Sequence, residues 1–140
     1  MRIPKAFQTS LFLLSISSLA VAGSISESMV PSAVKSTFAQ IFPSAQVTEW
    51  DFEDDDNAYE VEGRIGEREI KALIAEDGKL IRSKEDVWAQ DVPAAILKQV
   101  EKKWPRAQIL GANKITTSKG VVWDVGLKFR NRHHNVQIAE

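Results

Sequence analysis

The sequence predicts an α+β protein of two tandem units, each a helix packed on a three- to four-stranded antiparallel sheet. Three observations lead there. Residues 30–47 (VPSAVKSTFAQIFPSAQV) recur sixty-two positions later as residues 92–109 (VPAAILKQVEKKWPRAQI), and a fixed period signals one folding unit used twice. Within each copy a proline opens apolar positions at helical spacing: Val34, Phe38, Ile41 and Phe42 after Pro31, and Ile96, Leu97, Val100 and Trp104 after Pro93. Beyond each helix the period drops to two. Tyr59, Val61, Gly63 and Ile65 alternate with Ala58, Glu60, Glu62 and Arg64, as Val121, Trp123, Val125, Leu127 and Phe129 do with Val122, Asp124, Gly126, Lys128 and Arg130.

In chain order, residues 1–22 read as a secretory signal. Arg2 and Lys5 form a basic start, residues 11–22 are apolar and uncharged, and Ala20-Val21-Ala22 supplies the small-x-small cleavage site. The apolar run is about half of the roughly 20 residues a membrane span needs, so no integral membrane segment is expected after cleavage. Residues 23–29 form a short N-terminal segment. Proline then sets the first turn of each helix, and Pro43 and Pro105 stop them after about a dozen residues. Such helices hold in water only when packed on something.

Unit one covers residues 30–86, with strand signals at 58–65, at Ile70, Ala72 and Ile74, and a hairpin signal at Asp77-Gly78. Residues 87–91 connect it to unit two, residues 92–140, and Trp88 is placed to plug the seam. The second unit lacks a counterpart of the last strand of the first, so it is either one strand short or has an edge covered by another element. A unit of about 50 residues is marginal alone. The two are therefore expected to share one core or one continuous sheet.

Val-Pro-x-Ala-[Val/Ile] opening a helix, aromatic-Pro-x-Ala-x-[Val/Ile] closing it, a Tyr-x-Val strand and Asp77-Gly78-Lys79-Leu80 at a hairpin resemble the PepSY-like domains of exported bacterial proteins. These are similar to the halves of the beta-lactamase-inhibitor protein fold. The resemblance spans residues 30–140. It implies a binding or inhibitory role outside the cytoplasm and brings no catalytic residues.

The 140-residue chain carries a net charge of −1 and no cysteine, so neither a lipoprotein anchor nor a disulfide framework is available. Export without cysteine suits a bacterial periplasm or exterior. Charge is unevenly spread. Residues 30–86 hold seven Lys and Arg against fourteen Asp and Glu, a net of −7, whereas residues 92–140 hold nine against three, a net of +6. This dipole could steer a partner of mixed charge, join two copies head to tail, or attract the two halves to each other. Export and a mature net charge of −3, from 16 basic and 19 acidic residues, argue against nucleic acid.

No Gly-x-Ser-x-Gly elbow, cysteine nucleophile or glycine-rich phosphate loop is present, and the two histidines are adjacent. No enzyme, catalytic residue or cofactor is read from the chain. The acidic run at residues 51–56 lacks the Gly and Glu of a calcium loop and reads as a hairpin tip. His133 and His134 would point to opposite faces of a strand, so no metal site is assigned.

What remains is a protein-binding surface. Unbroken alternation places Trp50 and Phe52 on the open face of the sheet, with Glu60, Glu62, Arg64, Lys128 and Arg130 as a polar rim; a bulge after Thr48 would turn both aromatics inward. The expected partner is another exported protein, with a peptidase or beta-lactamase the most concrete choice. The alternatives are a small-ligand or metal carrier and a self-associating envelope component.

Overall fold

The computed structural model describes residues 24–140; the expected signal segment lies outside them. After a 3-10 turn at Glu27–Met29 come helix α1 (Ser32–Ile41) and strands β1 (Gln46–Glu53), β2 (Ala58–Ile65), β3 (Arg68–Ala75) and β4 (Leu80–Val87). A second 3-10 turn, Ala89–Asp91, leads to α2 (Ala94–Lys103), β5 (Gln108–Thr117), β6 (Gly120–Phe129) and β7 (Arg132–Ala139). Pro31 and Pro93 cap the helices with φ near −58° and extended ψ, one position outside the first turn. Each helix is ten residues long.

The fold departs from two tandem helix-on-sheet units. Among the described residues seven strands form one antiparallel sheet in the order β1 to β7, carrying two α-helices. The join is the β4–β5 ladder, running from Arg82 opposite Thr117 to Val87 opposite Ala112. Two separate sheets would expose an edge on β4 and another on β5, each with a row of unpaired N–H and C=O groups. Pairing them removes both edges. The ladder takes in the end of the first unit and reaches Val87, the first residue of the expected connector.

Both helices lie on one face of the sheet, over neighbouring clusters. Val34 and Phe38 of α1 pack with Trp50, Val61, Ile70, Ala72 and Ile74; Ile96 and Val100 of α2 pack with Ala112, Trp123, Val125, Leu127 and Ile138. Burying one such side chain is worth about 1.5–3 kcal/mol, which offsets the instability of ten-residue helices. The β3–β4 turn is tied to α1 by the Thr37 hydroxyl, which donates to the Gly78 carbonyl at 2.6 Å. Gly78 has φ +91°, and a Cβ there would sit 3.0 Å from the Ala33 carbonyl oxygen. Only glycine meets both conditions without strain.

Trp50 and Phe52 are corrections to the unbroken alternation. The β1–β2 register slips between Val47 and Glu49. Thr48 is the extra residue of the bulge, and every side chain after it changes face. Trp50 is 6% exposed, edge-on to Phe38 at 5.9 Å between ring centres. Phe52 turns the same way and lies 5.1 Å from the Tyr59 ring. Neither aromatic is on the open face.

Candidate functional site

The helix-free face is built by directly opposed residues, which share a face in an antiparallel ladder. One row across it reads Glu49, Glu62, Lys71, Lys84, Ile115, Val122 and Ala139. The next reads Asp51, Glu60, Leu73, Arg82 and Thr117. Along these two rows the face is zoned, acidic on β1 and β2, basic on β3 and β4 and uncharged beyond; other rows add Asp86 on β4 and Asp124 and Lys128 on β6.

A depression of about 670 Å³ lies on the zone boundary, lined by Glu60, Glu62, Lys71, Leu73, Arg82 and Ile115 among others. Leu73 is 7% exposed although it faces away from the helices, shielded by the long charged side chains around it. The Lys71 ammonium bridges Glu62 at 2.6 Å and Glu60 at 3.0 Å. Burial works against its charge, but the bonds to Glu62 and Glu60 and their negative charge prevail and hold its pKa above the ordinary lysine value. Asp51 has no such relief. Its carboxyl is pushed above the usual range by burial, then by Glu49, Glu60, Glu62 and Glu53, and its Oδ1 is buried without a hydrogen-bond partner.

A second depression, of about 380 Å³, is lined by Trp88, Leu110, Gly111, Asn113, Asp124, Gly126 and Asn135 among others. Its floor is bare because Gly111 faces Gly126 across the β5–β6 ladder, beside Asn135 on β7. A second bulge, between Ile109 and Gly111, makes Leu110 the extra residue. Leu110 and Trp88 are each 46% exposed, so Trp88 rims this groove rather than plugging a seam. Packing does not require glycine at 126: an added Cβ would have its nearest neighbour, the Gly111 carbonyl oxygen, at 3.7 Å, an ordinary contact. The missing side chain leaves space above the sheet.

The residues expected to form one site fall in three places. Trp50 and Phe52 are on the helix side. Glu60 and Glu62 meet at Lys71, with Arg64 beside them pairing Glu69 at 3.6 Å. Lys128 is at the far end, opposite His133. Arg130 is in the β6–β7 turn rather than on a strand, with φ +49°, its guanidinium 5.0 Å from the Phe129 ring centre. The groove residues Trp88, Leu110 and Gly126 were missed as a site. The available signal was two glycines breaking otherwise β-favouring runs, which marks a bulge or a close approach.

His133 and His134 occupy opposite faces, His134 lying 4.5 Å from the Trp104 ring. Among the described residues no three His, Asp or Glu side chains converge as metal ligands, and no helix is long and apolar enough to cross a membrane.

No family model and no curated protein matches the chain. Solved structures do. A BLIP-like protein from Bacteroides fragilis NCTC 9343 superposes with a TM-score of 0.57 at 11% identity, covering 78% of this chain and 79% of that one. A DUF2874 family protein from Bacteroides uniformis ATCC 8492 gives 0.55 at 15% identity, covering 78% and 81%. A protein from Bacteroides eggerthii DSM 20697, provisionally assigned to the periplasm, gives 0.55 at 13% identity, covering 79% and 81%. The chain shares the BLIP-like fold with these proteins.

Proposed function

We propose that this is an exported, non-enzymatic binding protein whose open sheet face takes up another exported protein, with the Trp88–Leu110 groove as the anchor point. The bare floor at Gly126 carries the reading. A strand interior loses stability by holding glycine where a side chain would fit, and the space it leaves lies between two half-exposed apolar side chains. Tryptophan is among the residues enriched at the energetic centres of interfaces. The charged zone on β1–β4 would then orient the partner more than hold it. The sequence features of a secretory signal support export, as does the likeness to a protein assigned to the periplasm. The BLIP-like fold supports a hydrolase, a beta-lactamase or peptidase, as the partner class.

The test is retention of envelope hydrolases from the source organism on wild type, Trp88→Ala and Gly126→Val, followed by titration of the purified partner. Gly126→Val fills the groove and favours the strand, so it separates loss of binding from loss of folding. A partner whose affinity falls about tenfold or more in both variants, roughly 1.4 kcal/mol, supports the groove. A partner that binds Gly126→Val as tightly as wild type rules the groove out.

A further inference from the structure

The two ends of the sheet carry opposite charges that the molecule cannot neutralise by itself. At the α2–β7 end, Lys102 and Lys103 in the last turn of α2, Arg106 just beyond it, Lys128 on β6, and Arg130 and Arg132 at the β6–β7 turn gather six cations. Trp104 holds this end together, its ring 5.5 Å from Phe129 and 4.5 Å from His134. None of the six is ion-paired among the described residues: every salt bridge there joins residues of β2, β3 and β4.

The β1–β2 end is the reverse. Glu49 lies directly opposite Glu62, and Asp51 opposite Glu60, and like charges so placed destabilise a ladder. Among the described residues Lys71 is the single cation bridging any of these four, and the exposed hairpin tip adds Asp54, Asp55 and Asp56. The linear strand order sets β1 five strand spacings from β6, roughly 24 Å at about 4.8 Å each. The Debye length at physiological salt is about 8 Å. Attraction between the two ends of one molecule is therefore screened out.

We infer that the basic α2–β7 end of one molecule docks on the acidic β1–β2 end of a second copy, head to tail. Nucleic acid or an anionic membrane would satisfy the basic end and leave the acidic one as it is. A second copy presents both signs by construction. The contact uses two different patches of the same chain, so it is heterologous and propagates into a chain of molecules unless its rotation closes a ring. It is independent of the Trp88 groove, which lies between the two ends.

The experiment is sedimentation of the purified protein at about 0.01 M and about 1 M salt, where the Debye length is roughly 30 Å and 3 Å. Two variants accompany it, each altering exposed side chains: an acid swap, Glu49→Lys/Asp55→Lys/Asp56→Lys, and a base swap, Lys103→Glu/Arg106→Glu/Arg132→Glu. The wild type should be at least about twofold heavier at low salt. Each variant alone should stay monomeric there with an unchanged circular dichroism spectrum, and an equimolar mixture of the two should assemble again. A wild type monomeric at low salt overturns the inference. So does a variant that assembles alone like wild type, a mixture that stays monomeric, or a basic end that takes up anionic vesicles while the protein remains monomeric in their absence.

Discussion

The α1 side and the α2 side of the sheet share strand order, bulge placement and helix seating, yet their open faces differ. Where the first has Glu49, Glu62 and Lys71 in a row, the second has Gly111, Gly126 and Asn135. The first presents fixed charge in opposed pairs, the second a glycine-floored groove rimmed by Trp88 and Leu110, with Asp86 and Asp124 in its wall. On the helix side both bury one tryptophan, Trp50 and Trp123, among aliphatic residues. Packing constrains the buried face to similar chemistry. The open face, free of that constraint, carries the differences through which a partner would be recognised.

The largest test of this comparison is on the buried face. Trp50→Ala and Trp123→Ala should each cost about 3–5 kcal/mol and shift a single urea transition seen alike by fluorescence and circular dichroism, because the β4–β5 ladder makes one cooperative sheet. Two separate transitions would show that the sides unfold independently. Trp50→Ala costing under about 0.5 kcal/mol, as a surface change does, would contradict its inward placement.

Glycine on the two sides should behave oppositely. A Cβ at Gly63 would lie 2.6 Å from the Gln46 carbonyl oxygen, against 3.7 Å for the nearest atom at Gly126. Gly63→Ala should lose about 1–3 kcal/mol, while Gly126→Ala stays within about 0.5 kcal/mol of wild type or gains. Equal losses in thermal unfolding would mean that Gly126 is a packing residue.

Charge changes should be smaller. Lys71→Met should lower stability by about 0.2–1 kcal/mol, whereas Asn135→Met in the matching row should move it less than about 0.5 kcal/mol; equal losses in urea would dissolve the distinction between the rows. Smallest is Asp51→Asn, which should raise stability at neutral pH by a few tenths of a kcal/mol, as relief of one opposed like-charge pair does. The folded carboxyl has a pKa above its ordinary 3.8, so the native state holds this proton more tightly than the unfolded chain. Stability is therefore lost as pH rises from that ordinary value through the folded one. The gain from Asn should fade as the pH of the urea titration is taken below 3.8, and a gain constant with pH would assign it to something other than this ionisation.

Much of the local structure was legible. Pro31 and Pro43 bracket α1, Pro93 and Pro105 bracket α2, and Asp77-Gly78 makes the expected hairpin, its Asp77 carboxylate accepting from the Lys79 N–H at 2.9 Å. The open-face positions of Glu60, Glu62, Arg64 and Lys128 follow from simple alternation. Trp50, Phe52 and Trp88 did not follow. Alternation carries a face assignment only as far as the first bulge, and Thr48 has nothing in its own chemistry that requires one.

The amino-acid sequence by itself determined where the two helices lie, which stretches alternate as β2, β3 and β6, and how charge divides between the two halves. These depend on proline geometry, side-chain period and residue counts, all local to the chain. Only the tertiary structure decided that β4 pairs with β5, that β1 changes face at Thr48, and that a groove opens at Gly111 and Gly126. The pairing of two distant edges is set by the cost of leaving backbone groups unpaired, to which any strand can respond. The register beside a bulge is set by which side chains the helices can bury, and neither choice is written in a run of neighbouring residues.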